Sequence, residues 1–381
     1  MELEFTTDQV DLRDSVRAFL TAECPIGAVR TIVEARFAGT PPSATTLGEQ
    51  MAELGWPALT VPEAAGGLGL GPIELALVAE ELGRALAPGP LFATVTQYVP
   101  AVLELGNPDQ IVALLAPVAT GSVSGTLAIA EPSGAIDPAA TSVVATPTAH
   151  GFVLDGIKAT VIEPSAGGSV VVVARVPGTA GDHGVGAFVV PVDATEVDPI
   201  DALDPSRVLA TMTLTDVSVG TAAVLGTPGP STAAGLRRAA QTAAVTLALD
   251  AVGAAQQLFD VSLEYVKQRE QFGVPVGTFQ AIKHRFADML ILLERARALG
   301  YFAALTIAED DDRRSLATAM AKAAAGDAAL RIAKEGIQLH GGIGYTWEAD
   351  VHLYVRRLES DAVLFGTAEH HRQTVADLIG V

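Results

Sequence analysis

The residues best placed for chemistry lie between Tyr265 and Gln280, where a charged knot, Arg269-Glu270-Gln271, meets a sharp stop at Phe272-Gly273. Apolar helical patterns run into this stretch and out of it. Gly273 fits a helix C-terminus, Pro275 follows shortly, and Thr278 is placed to cap the next helix. Such a turn would hold a planar guanidinium at a helix end, where its fork can bind phosphate. The plainer reading is a helical hairpin whose Arg269 is only solvated. The adjacent histidines His370-His371 do not read as a metal site, because neighbouring helical residues point about 100° apart. Cys24 is the only cysteine, so no intramolecular disulfide and no cysteine-based metal motif is available.

Three kinds of sequence position these groups. Residues 1–120 read as helices. The first carries an apolar stripe at Val10, Leu12, Val16, Phe19 and Leu20, a second fills roughly 44–54, and Pro72 opens a third over 73–86 with Glu74, Glu80 and Glu81 on its polar face. Glycine and proline between Gly55 and Gly69 break regular structure. Residues 121–225 alternate polar and apolar in short runs, with strands expected at 152–156, 170–174, 187–190 and 209–219. From there the helical pattern returns, with long Ala/Leu-rich helices at about 231–268, 278–308, 313–340 and 367–379. The expected fold class is α+β multidomain: an N-terminal helical domain (1–120), a middle β-barrel or sandwich (121–228), and a C-terminal four-helix bundle (229–381).

At 381 residues, 49% hydrophobic and 18% charged, the chain has the length for large cores and the composition of a soluble globular protein. A formal net charge of −20 argues against nucleic acid and anionic membrane surfaces as partners. No apolar run approaches the ~18 residues of a membrane span. The acidic start at Met1-Glu2-Leu3 is not a secretory signal, so a cytoplasmic location is expected.

The order of segments, with the motifs inside it, resembles the acyl-CoA dehydrogenase family over nearly the whole chain. The resemblance is carried by Gly55-Trp56, Val61-Pro62-Glu63, Gly66-Gly67, the stretch Glu80 to Arg84, and Asp216 to Val219. It is most specific at Arg269 to Gly273 with Phe279-Gln280, and at Gln338 to Tyr345. It implies FAD as cofactor, an acyl-CoA substrate, an electron-transfer flavoprotein as redox partner, and tetramers in which each FAD lies across a dimer interface. The residues it implies at the adenosine diphosphate end of the neighbour's FAD are Arg269, Phe272, Gln280, Gln338 and Gly342. Gly341 beside them leaves backbone that a ligand can approach closely.

The other half of the implied site departs from the pattern. Where the family has a hydroxyl before Glu131-Pro132 the chain has Ala130, and the Trp-Ile-Thr flavin element becomes Thr160-Val161-Ile162. The family's reaction needs a carboxylate to remove the α-proton of the thioester while a hydride passes to the flavin. Its usual position before Gly366-Thr367 holds Phe365, and its alternative position, with the substrate-binding Arg beside it, falls on Ala243 and Ala244. The resemblance therefore points to the base-lacking subunit of the hetero-oligomeric, steroid-type acyl-CoA dehydrogenases of actinobacteria, with a homologous catalytic subunit completing an α2β2 assembly. One alternative is a homotetramer with a relocated base, drawn from Glu131, Asp137, Glu163, Asp250 and Glu369. Of these, Glu163 stands beside the flavin element, and Asp250 lies on Ala243's helix face about 10 Å along. The other alternative is a scaffold subunit without flavin contact.

Overall fold

A computed structural model describes residues 4–40 and 45–381. The expected readings at Met1 to Leu3 and at the helix start near Ala44 lie outside these residues. The N-terminal part comprises α1 (Thr7–Glu23), α2 (Ile26–Phe37), α3 (Thr45–Glu53), α4 (Pro72–Arg84), a short α5 (Leu91–Ala93) running through a π-turn into α6 (Val99–Leu105), and α7 (Pro108–Ala119). Thr6 starts α1 with a reciprocal capping box to Gln9, satisfying two otherwise orphaned amides.

On α4 the expected polar face is in fact half-sunk. Glu81 is buried and takes Arg17 from α1 in a two-bond fork, at 2.6 and 2.9 Å. Glu80 is buried beside Arg297 and the Tyr301 hydroxyl. Two carboxylates on a polar stripe read as solvated in the sequence; here they bind α4 to its neighbours.

The β region contains β1 (Gly125–Ala128), β2 (Val144–Thr148), β3 (Gly151–Ile162), β4 (Ser169–Arg175), β5 (Val185–Pro191), β6 (Glu196–Pro199), β7 (Leu209–Gly220) and β8 (Val224–Leu225). They form one sheet in the order β6-β7-β3-β2-β4-β5-β8, with β1 parallel to β4. The strand path is open, so of the two forms expected the sheet is not a closed barrel. Strand alternation divides two cores. In β4, Val170, Val172 and Ala174 join a cluster with Leu154, Phe188 and Met212, while Val171 and Val173 face the main core shared with the helices.

The C-terminal part holds α8 (Pro230–Gln268), a miniature hairpin of β9 (Glu270–Gln271) and β10 (Val274–Pro275), α9 (Gln280–Ala308), α10 (Arg314–His340), α11 (Val351–Asp361) and α12 (Ala368–Ile379). α4 crosses α8 at backbone contact: a Cβ on Gly253 would lie 1.8 Å from the Glu80 carbonyl oxygen, so only glycine permits this crossing. α11 is additional to the four long helices expected. Its inward face carries Arg357 and Asp361 among Val351, Leu353, Tyr354 and Leu358, which disguises the apolar stripe. Among the described residues, no helix is long and apolar enough to cross a membrane.

Candidate functional site

The end of α8 differs from the helix stop expected there. The helix ends at Gln268 with Arg269 as its cap, and the chain turns back in the β9–β10 hairpin. Phe272 and Gly273 form the two-residue turn, both with positive φ (56° and 78°), as a twisted hairpin of this length requires. Gly273 thus turns a hairpin rather than capping a helix. Thr278 does not cap α9 either: its hydroxyl donates to the Pro275 carbonyl, and Phe279 occupies the cap position.

This geometry leaves the hairpin tip bare. Phe272 is 93% exposed, and its ring meets that of Phe279 edge-on. Arg269 is exposed, and its guanidinium has no hydrogen bond or ion pair among the described residues. Gln280 opens α9 and pairs with His284 at 3.0 Å. Across from them α10 ends in Gln338, which is exposed, and in Gly341 and Gly342, which have no atoms within 4 Å of where a side chain would start. The two segments are linked by Tyr265 of α8, whose ring stacks on His340 of α10. The Tyr265–His340 contact therefore brings the end of α8, with its exposed guanidinium, against the end of α10, with its amide and open backbone, and these are groups that could hold a diphosphate.

The opposite side is closed. Phe365, Ala243 and Ala244 are buried in the main apolar core and offer no group that accepts a proton. Phe365 sits in the left-handed region (φ 54°), where three loop carbonyls are pinned. Lys322 Nζ donates to those of Asp361 and Gly366, and His371 Nε2 donates to that of Phe365. Thr160 is exposed with positive φ at a bulge of β3, while Val161 and Ile162 turn inward, so neither an aromatic plane nor a buried hydroxyl stands there.

Among the described residues, four of the five proposed carboxylates are engaged, and Glu369 is not. Asp250 lies in a buried cluster that sequence reasoning missed. Arg207 Nη1 donates to Asp361 at 2.6 Å and its Nη2 to Asp250 at 3.1 Å. Arg357 reaches Asp204 at 2.6 Å, Ser206 at 2.7 Å and Asp250 at 3.2 Å. Burial works to raise the Asp250 pKa, but the two guanidinium groups outweigh it and hold the carboxyl below its usual range. At Asp361 burial wins, assisted by the neighbouring Asp250, and the carboxyl is pushed well above its usual range. Two guanidinium groups thus face the Asp204, Asp250 and Asp361 carboxyls inside the core.

Glu163 is buried, with burial raising its pKa, and its Oε1 already accepts the Val208 N–H at 2.8 Å. Glu131 is buried against Lys158, Thr141 and Ser142. Burial lowers Lys158 to about 8 against the pull of Glu131. Asp137 caps a short turn and pairs with Arg237, and Glu369 is exposed in the first turn of α12.

His371 gives a pH prediction. Burial, against the raising effect of the Phe365 carbonyl, pushes the imidazole down to about 4. The unfolded ring takes its proton near 6.5. Between these values the unfolded chain binds the extra proton, so stability from His371 is present above about 6.5 and lost as pH falls toward 4. Chemical denaturation across this window should show a steeper fall for the native chain than for His371→Gln; equal slopes would contradict the assignment.

Comparison with known proteins agrees with the fold. Residues 6–122 match the model of the acyl-CoA dehydrogenase N-terminal domain, and residues 235–380 that of the C-terminal domain. The chain is 33% identical over 314 residues to acyl-CoA dehydrogenase IpdE2 of Mycobacterium tuberculosis, covering 82% of this chain and 79% of the relative. Among solved structures it is similar to a variant of the Tcur3481-Tcur3483 steroid ACAD (TM-score 0.85, 30% identity, 98% and 97% of the two chains). It is also similar to butyryl-CoA dehydrogenase from Megasphaera elsdenii (TM-score 0.89, 25% identity, all of both chains).

Proposed function

The chain belongs to the acyl-CoA dehydrogenase family, and on that premise we propose that it is one subunit of a hetero-oligomeric, FAD-dependent acyl-CoA dehydrogenase. It contributes the adenosine diphosphate side of a partner's flavin site. Members of the family are FAD-dependent, and the flavin supplies the hydride acceptor for α,β-desaturation of an acyl-CoA thioester. The homologous partner contributes the isoalloxazine pocket and the base, most simply in an α2β2 assembly reoxidised by an electron-transfer flavoprotein.

One observation carries this reading: Arg269, unpaired among the described residues, stands beside a 93% exposed Phe272, while Phe365 is buried where a proton acceptor would be required. An aromatic ring held on a turned hairpin gains little in water, and a covering partner would remove that cost. Arg269 donates to phosphate oxygens, Gln338 offers its amide, and the Gly341-Gly342 backbone allows close approach. A bulky, steroid-like acyl group is the proposed substrate, supported by likeness to the steroid ACAD above.

Asp250 and Glu163 do not favour a relocated base, since each carboxylate is buried and already bonded. The test is expression of the chain alone and with its partner. Alone it should lack stoichiometric flavin and acyl-CoA dehydrogenation, and the complex should show both. Yellow, active protein from the single chain would refute the proposal.

A further inference from the structure

We propose that Tyr265 and His340 form a positioning clamp that fixes the distance between the two FAD-facing segments. This rests on the reading just given. Neither side chain is placed against the ligand; they act through Arg269 and through the Gln338–Gly342 strip.

The geometry is specific. The Tyr265 and His340 rings lie 4.4 Å apart between centroids and 25° from parallel. The Tyr265 hydroxyl reaches the His340 carbonyl at 3.4 Å, a long contact that adds less than the stacked faces. His340 is buried, and its Nδ1 donates to the Gly336 carbonyl at 2.8 Å, one turn back on α10. That bond fixes the ring plane. Burial lowers the His340 pKa in spite of the carbonyl partner, so the stacked ring is the neutral imidazole. The following turn packs tightly on the same helix at Gly344, where a side chain would begin 3.2 Å from the His340 Cβ and 3.0 Å from the Ile337 carbonyl oxygen. The ring is thus held by its own helix, by the turn after it, and by the last turns of α8.

The placement gives the clamp its purpose. Tyr265 is one helical turn before Arg269, whose N–H donates to the Tyr265 carbonyl at 2.8 Å. His340 lies between Gln338 and Gly341 in the chain. Any shift of one ring against the other therefore changes the span from guanidinium to glycine backbone. A diphosphate held at both ends tolerates little of such a change, because hydrogen bonds weaken steeply with distance and angle.

The experiment uses the assembled complex, purified through a tag on this chain, and follows FAD release after dilution by the recovery of flavin fluorescence. Tyr265→Leu, which removes the stacked face, should speed release at least tenfold. Tyr265→Phe, which keeps the ring and drops only the hydroxyl, should stay within about twofold of the native complex. Gly344→Ala, whose methyl would press on the Ile337 carbonyl and the His340 Cβ while leaving the Tyr265 side chain in place, should also speed release, and it decides the matter if Tyr265→Leu fails to assemble. Arg269→Ala separates the two claims. If it leaves FAD release unchanged, the flavin-site reading fails. If it accelerates release while Tyr265→Leu and Gly344→Ala do not, the clamp alone is wrong. Equal acceleration by Tyr265→Leu and Tyr265→Phe would also overturn it, since the stack would then have no part.

Discussion

Replacing Arg357 with Leu should lower the unfolding free energy by roughly 3–5 kcal/mol, the size expected when one partner of a buried ion pair is removed. Arg357 is fully buried and holds Asp204, Ser206 and Asp250 at once. Its loss leaves carboxylates from the loop before β7 and from α8 facing each other without a cation between them. Arg207, stacked over Phe92 at 4.5 Å and already committed to Asp250 and Asp361, is not free to replace it. The outcome should differ sharply from loss of the Arg372–Asp327 pair, which is largely exposed and should stay within about 1 kcal/mol. Urea unfolding followed by far-ultraviolet circular dichroism measures both. A double change that also makes Asp204 apolar should recover part of the loss, since an apolar replacement of a whole buried pair is often tolerated. A cost below about 1 kcal/mol for Arg357→Leu would mean that water reaches the cluster.

This cluster marks the boundary of what the sequence makes legible. The long helices are evident because their apolar residues recur at helical spacing, and β4 and β7 are evident as runs of Val, Thr and Ala. α11 is not, because Arg357 and Asp361 occupy inward positions where an apolar residue would reveal the period. In the sequence, Arg356-Arg357 reads as a pair that holds an acidic partner or, more commonly, neutralises a helix end. Instead Arg357 is core, and Arg356 lies over Trp347 while donating to the Leu203 carbonyl. Asp204-Pro205-Ser206-Arg207 looks like an ordinary turn, and no spacing within it announces a partner on α8. Only the fold brings these three distant segments together. The same holds for Lys158 and Glu131, 27 positions apart and joined inside the sheet. Local signals fared better where chemistry is local, but not always: Gly273 signals a reversal, yet a helix stop and a hairpin turn demand the same positive φ. The cost of Phe272 at φ 56° is the only feature separating them, and composition does not record it.

Arg269→Ala should weaken FAD binding by the assembled complex about 10- to 150-fold, the equivalent of roughly 1.5–3 kcal/mol for charge-assisted hydrogen bonds. The stability of the chain itself should not change, because the Arg269 side chain is exposed and makes no contact that its removal would orphan. That separation gives the prediction its force: a residue kept for folding would show the reverse. Arg269→Lys should recover only part of the affinity, because an ammonium is a point charge and loses the planar fork that two phosphate oxygens can share. Titration of FAD into the flavin-depleted complex at two salt concentrations completes the test. Rising salt should erode the affinity advantage of the native complex over the alanine variant, since an exposed guanidinium on an anion is screened. The chain as a whole carries a net charge of −20, so its long-range field repels a dianionic diphosphate. Removing one exposed cation from such a surface therefore takes away local attraction, and an unchanged salt slope would place the diphosphate elsewhere.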